Sequence, residues 1–198
     1  MQSEPLKRWR GPRREVIDIL AAGHAKVGEL TGPGRPLDVS KPLAHAYVIV
    51  AVSQFQGFIR DLHDLAVERL VSASGTAVAY VPLLTDAIVS GRTLDRGNPT
   101  HRNVKIDFAR IGLSPFDMAA HNSRWAPGDA PEFDRFIALR NVLGHSNETE
   151  LRTLLASGEV QDTVSWARGR LPVLNRYARA LDHMVWDHLR STTGKGPW

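Results

Sequence analysis

Residues 43–71, "LAHAYVIVAVSQFQGFIRDLHDLAVERLV", carry the longest regular pattern in the chain. Apolar side chains recur every three or four residues, as they do on one face of an α-helix. They are Ala44, Tyr47, Val48, Ala51, Phe55, Phe58, Ile59, Leu62, Ala66 and Leu70. The pattern predicts one long amphipathic helix that stops near Gly75, so a helical protein is the first expectation.

Shorter helical patterns fill most of the remaining sequence. We expect helices at 15–30 (with Val16, Ile19, Leu20 and Val27 as its apolar face), 82–90, 131–143 and 160–189, and short helical pieces within 104–124. A further short helix is expected to run through Leu155, with Ser146 or Asn147 as its cap. Pro172 should kink or split the helix at 160–189. Gly, Pro and polar residues predict loops at 31–42 and 91–104. Since no segment alternates as a strand does, the fold class is all-α, a helical bundle.

Length and composition predict a single domain covering residues 1–198, with 1–14 as a basic N-terminal extension and 191–198 as a frayed tail. The chain contains no cysteine, which excludes disulfides and thiolate-bound metals and suits a reducing compartment. No uninterrupted apolar run approaches the roughly 18 residues of a membrane span, and the N-terminus lacks the features of a secretory signal. We therefore expect a cytoplasmic protein with no membrane contact.

The net charge of +4 and a pI near 9.8 favour a polyanionic partner such as RNA. The basic residues concentrate in two segments. One comprises Lys7, Arg8, Arg10, Arg13 and Arg14, and the other comprises Arg92, Arg96, Arg102, Lys105 and Arg110. The alternative interpretation is an ordinary solvated surface without a nucleic-acid partner.

A second stretch, residues 133–147, "FDRFIALRNVLGHSN", places charged and polar residues inside an apolar helical repeat. At 3.6 residues per turn, Phe133, Phe136, Ile137 and Leu143 all fall within roughly 60° of Arg140. Arg140 is therefore expected on the core face. A charge there must be paired, or must open into a cleft or a subunit interface.

His145 follows Gly144, where the helix is expected to end, so its imidazole can turn back toward Arg140 and Asn141. The alternative is a buried ion pair at Arg140 and a simple C-terminal cap at His145. A bare Arg-x4-His spacing is weak, and residues 96–101 contain a second one. Requiring Asn directly after Arg lowers the chance expectation to roughly a few per cent, and only Arg140-Asn141-x-x-x-His145 meets it.

The sequence "RNVLGH" at 140–145, at the end of an amphipathic helix, resembles the Arg-Asn-x-x-x-His signature of HEPN-domain ribonucleases. The long helix at 43–71 is similar to the early helix of that superfamily, especially of its RiboL-PSP and MAE-type branches. The resemblance covers about residues 40–190. It implies a HEPN-like antiparallel bundle with a long second helix and extra short helices. It also implies a homodimer that pairs two motifs as a metal-independent endoribonuclease, in toxin-antitoxin systems, phage defence or RNA processing.

The chemistry of the three residues fits this activity. Histidine titrates near neutral pH and suits general acid or base work on the 2′-hydroxyl and the leaving oxygen. Arginine offers fixed donors to the phosphoryl oxygens, and asparagine orients the phosphate or the imidazole by hydrogen bonds. We expect Arg140, Asn141 and His145 to be catalytic, with RNA as substrate and no cofactor. The resemblance to toxins further implies an antitoxin or another partner protein that binds this chain.

Two positions depart from the family pattern. Gln56 stands where the resemblance implies an acidic residue. Asn147 stands where some family toxins carry a tyrosine that a nucleotidyltransferase antitoxin modifies, so adenylylation at this position is not expected.

No metal site is expected from the sequence. His183 and Asp187 share a helix face in "LDHMVWDHL" at 181–189, but no third ligand is evident, so a solvated face is the simpler interpretation. Similarly, "DLHDL" at 61–65 places its histidine and aspartate on different faces. The competing functional hypothesis is a non-catalytic helical module that binds nucleic acid or a partner protein.

Overall fold

The computed structural model of the chain describes residues 2–30 and 40–198, and every regular element in that part is helical. This confirms the predicted all-α class. The helices are α1 (Glu4–Arg10), α2 (Pro12–Leu30), α3 (Ser40–Ala73), α4 (Val81–Val89), α5 (Thr93–Arg96), α6 (His101–Ala109), α7 (Met118–His121), α8 (Asp129–Gly144), α9 (Glu148–Ala156), α10 (Val164–Arg168) and α11 (Leu171–Thr193). A 3₁₀ turn, Val78–Tyr80, precedes α4.

The long helix α3 is the one predicted from residues 43–71. Its predicted face is buried from Ala44 to Ala66, with each of those apolar positions at most 1% exposed. At its C-terminal end Val71 is buried and Leu70 is half-buried. The helix begins at Ser40, so the last residues of the predicted loop at 31–42 are helical, and residues 31–39 lie outside the described part.

By length and composition, α3 is the one described helix that could cross a membrane. Its most apolar 18-residue window has a mean hydropathy of 1.2 and is 44% buried within the protein. A core helix of a globular protein meets the same criterion, and the buried face from Ala44 to Ala66 is what a core helix requires.

Where a single domain was expected, the chain divides into two compact units, each assembled from separate stretches. The first unit comprises Met1–Lys7, Gln56–Pro127 and Asn175–Trp198. The second comprises Arg8–Phe55 and Gly128–Leu174.

In the first unit, the amino-terminal segment is tied to α11. The Ser3 hydroxyl donates a hydrogen bond to the Asp182 carboxylate, and the Ser3 amide lies 3.5 Å from the other carboxylate oxygen. Burial raises the pKa of Asp182, although these Ser3 hydrogen bonds act in the opposite direction. Leu6, buried at 3% exposure, anchors the same segment.

Residues 91–104 of the first unit were predicted as a loop, but they include α5 and the start of α6. For α5 the prediction was wrong because its stabilising cap comes from another helix and is not visible as a local pattern. The Asp107 carboxylate, fully buried in α6, accepts hydrogen bonds from the amides of Thr93 (2.9 Å) and Leu94 (2.8 Å). It therefore caps α5 from another helix, while Thr100 caps α6 through the Asn103 amide.

The second unit has an aromatic core in which Trp9 of α1 packs edge-on against Phe55, and Phe55 against Phe133. The ring centroids are 5.2 Å and 5.5 Å apart. Residues 1–14 are therefore not an extension, because α1 buries Trp9 at 1% exposure and α2 starts at Pro12. The apolar face predicted for α2 is also wrong, since Ile17 is buried and Ile19 is 69% exposed.

The C-terminal region follows the prediction at Pro172. The helical pattern is split into α10 and α11, and Pro172 occupies the first turn of α11, where a missing amide hydrogen costs nothing. The predicted tail at 191–198 is shorter than expected because α11 continues to Thr193.

Candidate active site at the end of α8

Helix α8 carries the Arg140 motif and runs from Asp129 to Gly144 with Pro131 in its first turn, as predicted. Phe133, Phe136 and Ile137 are at most 1% exposed. The helix is thus fixed in the core of the second unit by its first three turns, and the motif occupies its last turn.

Arg140 is half-buried on the same face as these aromatic residues, as the helical geometry predicts. Its guanidinium reaches along the helix toward the C-terminal end. A Cβ placed on Gly144 would lie 3.7 Å from the Arg140 Nη1 atom, an ordinary van der Waals distance, so the guanidinium lies beside Gly144. Asn141 is also half-buried.

Helix α8 ends at Gly144, where the break was expected, and His145 follows it. His145 is the C-cap residue, with φ −100° and ψ 2°, and its amide donates to the Asn141 carbonyl at 3.1 Å. The chain reverses one residue later, at Ser146, which has φ 52° in the left-handed region. The imidazole of His145 is consequently displayed at the exposed helix end.

The reversal at Ser146 is a Schellman motif. The Ser146 amide donates to the Leu143 carbonyl and the Asn147 amide donates to the Val142 carbonyl, each at 3.3 Å. Glycine usually occupies the left-handed position because a Cβ is strained there. These bonds satisfy carbonyls that would otherwise be orphaned at the end of α8, and they define the backbone next to His145.

Of the two caps expected for the following helix, Ser146 and Asn147, the structure has Asn147. Its side-chain oxygen accepts from the Glu150 amide at 3.1 Å, and its side-chain nitrogen donates to the Glu150 carboxylate at 3.0 Å. Asn147 is thus a capping residue between α8 and α9.

Arg140, Asn141 and His145 occupy one side of the end of α8. On an ideal helix they span an arc of about 140°, with Gly144 between Arg140 and Asn141. A cleft of about 400 Å³ lies at the same helix end, but none of the three residues lines it. Its walls come from the other side of α8 and from neighbouring elements: Lys41, His45, Val142, Leu143, Ser146, Asn147, Glu148, Leu151, Arg152, Leu155 and Asp162.

Gln56 has a structural use in the first unit that an acidic residue could not fulfil. Its side-chain nitrogen donates to the carbonyls of Leu94 (2.6 Å) and Gly97 (3.0 Å). A carboxylate accepts hydrogen bonds and would repel both carbonyls. Gln56 thereby attaches α5 to α3.

One residue of the predicted central basic cluster, Arg92, is buried and does not contribute to the basic surface. Arg92 is 6% exposed, and its guanidinium contacts Asp64 at 2.5 Å and Asp95 at 3.2 Å. Its charge is therefore compensated internally. Arg96, Arg102, Lys105 and Arg110 are exposed, although Arg110 also donates to the carbonyls of Ala87 and Ser90.

His63 is held neutral beside Arg92. Its Nε2 lies 3.1 Å from the Asp107 carbonyl, which can only accept, so Nε2 carries the proton and Nδ1 accepts from the Arg92 guanidinium at 3.3 Å. Burial, followed by the nearby Arg92 charge, lowers the pKa of His63. This histidine, fully buried, belongs to the structural core of the first unit.

One group of titratable residues was missed by the sequence analysis. His121 of α7 lies beside His183 and Asp187 of α11, which were expected to be a solvated pair. The sequence shows the i,i+4 spacing of His183 and Asp187, but only the packing of α7 on α11 brings in the third residue.

No protein-family model, no curated protein and no solved structure matches this chain.

Proposed function

We propose that the chain is a metal-independent endoribonuclease that acts as a homodimer through Arg140, Asn141 and His145. The observation that carries the proposal is the last turn of α8, where a half-buried Arg140 reaches to Gly144 beside an exposed His145. The resemblance of "RNVLGH" to the HEPN signature supports the same assignment. The basic balance of the chain, +4, suits an RNA substrate.

The proposed reaction is an internal transfer at a phosphodiester. The 2′-oxygen bonds to phosphorus while the bond from phosphorus to the 5′-oxygen breaks, giving a cyclic phosphate and a free 5′-hydroxyl. One His145 takes the proton of the 2′-hydroxyl, and the His145 of a second copy protonates the leaving 5′-oxygen. Arg140 donates to the non-bridging oxygens as negative charge accumulates, and Asn141 orients the phosphate.

The two-histidine scheme requires a second copy of the chain. In an isologous dimer the same patch of each subunit meets its counterpart, so one motif per chain provides both histidines. We propose a cytoplasmic effector of this type, in a toxin-antitoxin or phage-defence role, restrained by an antitoxin or another partner protein.

The decisive experiment is cleavage of labelled single-stranded RNA by tag-free protein in EDTA. His145→Ala and Arg140→Ala should each abolish cleavage while leaving the folded protein intact. His24→Ala and Arg135→Ala are matched controls, since Arg135 pairs with Glu159 at 3.0 Å and lies earlier on α8. The particle mass in solution should be about twice 21.9 kDa.

Cleavage that persists in His145→Ala would refute the assignment, as would an inactive wild-type protein. The latter result would favour the non-catalytic module that binds a partner. One observation supports that second candidate. The apolar residues Val78, Tyr80 and Leu83 are 86%, 60% and 66% exposed, which is unusual for large apolar side chains in succession.

A further inference from the structure

In the first unit, three side chains with metal-binding atoms converge at the surface. His183 and Asp187 lie one turn apart on α11, and His121 ends the short helix α7. The Asp187 Oδ2 atom is 2.9 Å from His121 Nδ1 and 3.6 Å from His183 Nδ1. One ligand atom from each of the three residues lies within 4.8 Å of the other two.

The position of His121 next to α11 is fixed by the packing and hydrogen bonds of the segment that carries it. The Asn122 side chain, adjacent to His121, donates to the Arg176 carbonyl of α11 at 3.0 Å. Asp117 caps the start of α7 by accepting from the amides of residues 119 and 120, and Met118 is buried at 3% exposure. His121 is therefore carried to α11 by a segment with fixed ends.

The contact between His121 and Asp187 differs from an ordinary hydrogen-bonded pair. Although 2.9 Å is a hydrogen-bond distance, the buried His121 Nδ1 atom makes no aligned hydrogen bond with any residue in the described part of the chain. The Asp187 oxygen is therefore close to His121 Nδ1 but lies off the direction in which an N–H bond would point. Two ligands of one ion stand in this relation, because their lone pairs point at the ion and not at each other.

The two spacings from Asp187 to the histidines agree with a common ion. For metal–nitrogen and metal–oxygen bonds of roughly 2.0–2.2 Å in tetrahedral geometry, ligand atoms lie about 3.3 Å apart. The observed 2.9 Å and 3.6 Å bracket that value. Two imidazoles and one carboxylate form a donor set that suits Zn²⁺ and related divalent transition ions, and they leave at least one coordination position for another ligand.

We propose that His121, His183 and Asp187 form a binding site for a divalent transition-metal ion. A neighbouring cleft of about 320 Å³ gives the site access to solvent. It is lined by both histidines and by Arg179, which lies one turn before His183 on α11. The remaining coordination position is thus suited to water or to an oxygen of a small anion, with the Arg179 charge near it.

The metal site is independent of the proposed nuclease motif. His121, His183 and Asp187 belong to the first unit, whereas Arg140 and His145 belong to the second. The ion would fasten α7 to α11, and binding to the folded state alone raises the ratio of folded to unfolded chain about 100-fold at 100 times the dissociation constant.

Calorimetric titration of chelator-treated, tag-free protein with ZnCl₂ at pH 7.5 tests the proposal. One ion should bind per chain. His121→Ala, His183→Ala and Asp187→Ala should each weaken binding by at least about tenfold, since each removes a ligand. His24→Ala, which removes a histidine of the second unit, should bind Zn²⁺ as the wild type does.

A variant that has lost a metal ligand can be distinguished from one that has failed to fold. His183 and Asp187 side chains are 58% and 40% exposed, so metal-free variants should keep the circular dichroism spectrum of the wild type. Zinc should raise the melting temperature of the wild type and not of His183→Ala. The proposal is overturned if no stoichiometric binding occurs, or if binding survives both His183→Ala and Asp187→Ala.

Discussion

Removal of the Asp107 carboxylate should be among the most damaging single changes in the first unit. Asp107→Ala deletes the acceptor of two hydrogen bonds, from the amides of Thr93 and Leu94 at 2.9 Å and 2.8 Å. The site is completely buried, so water cannot replace the lost oxygen atoms. Both amides at the start of α5 then lose a charged acceptor.

The magnitude follows from these two bonds. A hydrogen bond to a charged group contributes about 1.5–3 kcal/mol, so loss of both bonds in Asp107→Ala should cost about 3–6 kcal/mol. A chain of this length has an unfolding entropy of about 0.4 kcal/mol/K, so the melting temperature should fall by roughly 7–15 °C. Asp107→Asn keeps one acceptor oxygen and should show a smaller loss.

Asp117→Ala is the matched comparison. Asp117 also accepts from two successive amides, at 3.0 Å and 3.3 Å, but it is exposed. Water can take its place, and the expected cost is that of an ordinary N-cap, about 1 kcal/mol. Urea unfolding followed by tryptophan fluorescence measures both. If Asp107→Ala costs no more than Asp117→Ala, burial does not determine the strength of this cap.

Three further changes test other parts of the structure. Ser146→Gly should stabilise the protein by about 0.5–1 kcal/mol in urea, because glycine relieves the left-handed strain, whereas Ser165→Gly in the right-handed α10 should destabilise it. Tyr47 has a buried hydroxyl with no hydrogen-bond partner in the described residues, and burial raises its pKa to about 12. Tyr47→Phe should therefore add about 1 kcal/mol, and a loss of stability would show that the hydroxyl is satisfied. The pKa of His63 is lower in the folded chain than in the unfolded chain. As the pH drops below about 6.5, the unfolded chain therefore takes up a proton first, and the free energy of unfolding should fall. His63→Gln should flatten that part of the wild-type stability-versus-pH curve, and an unchanged slope would contradict the assignment.

The sequence predicted those elements whose signals are local. The face of α3, the split at Pro172 and the cap at Asn147 depend on residues within a few positions of one another, and all three were found. Helix α5 was missed because its cap, Asp107, comes from another helix. Burial of Arg92 depends on Asp64 of a distant segment and was missed for the same reason.

In the candidate sites too, features that depend on neighbouring residues were predicted, and features that depend on distant contacts were not. The position of Arg140 on the core face of α8 follows from helical spacing, but the course of the chain at His145 depends on the left-handed Ser146, which is not a residue that signals such a turn. The approach of His121 to α11 depends on the hydrogen bond from Asn122 and has no counterpart in the spacing of the sequence.

The bond between Ser3 and Asp182 has a consequence for synthesis on the ribosome. The two residues are 179 positions apart, so the first segment of the chain leaves the exit tunnel long before its partner exists. At about 5–20 residues per second, the delay is on the order of ten seconds or more. During that time the Ser3 hydroxyl has no partner in α11, so the amino-terminal segment can dock only after Asp182 has been made.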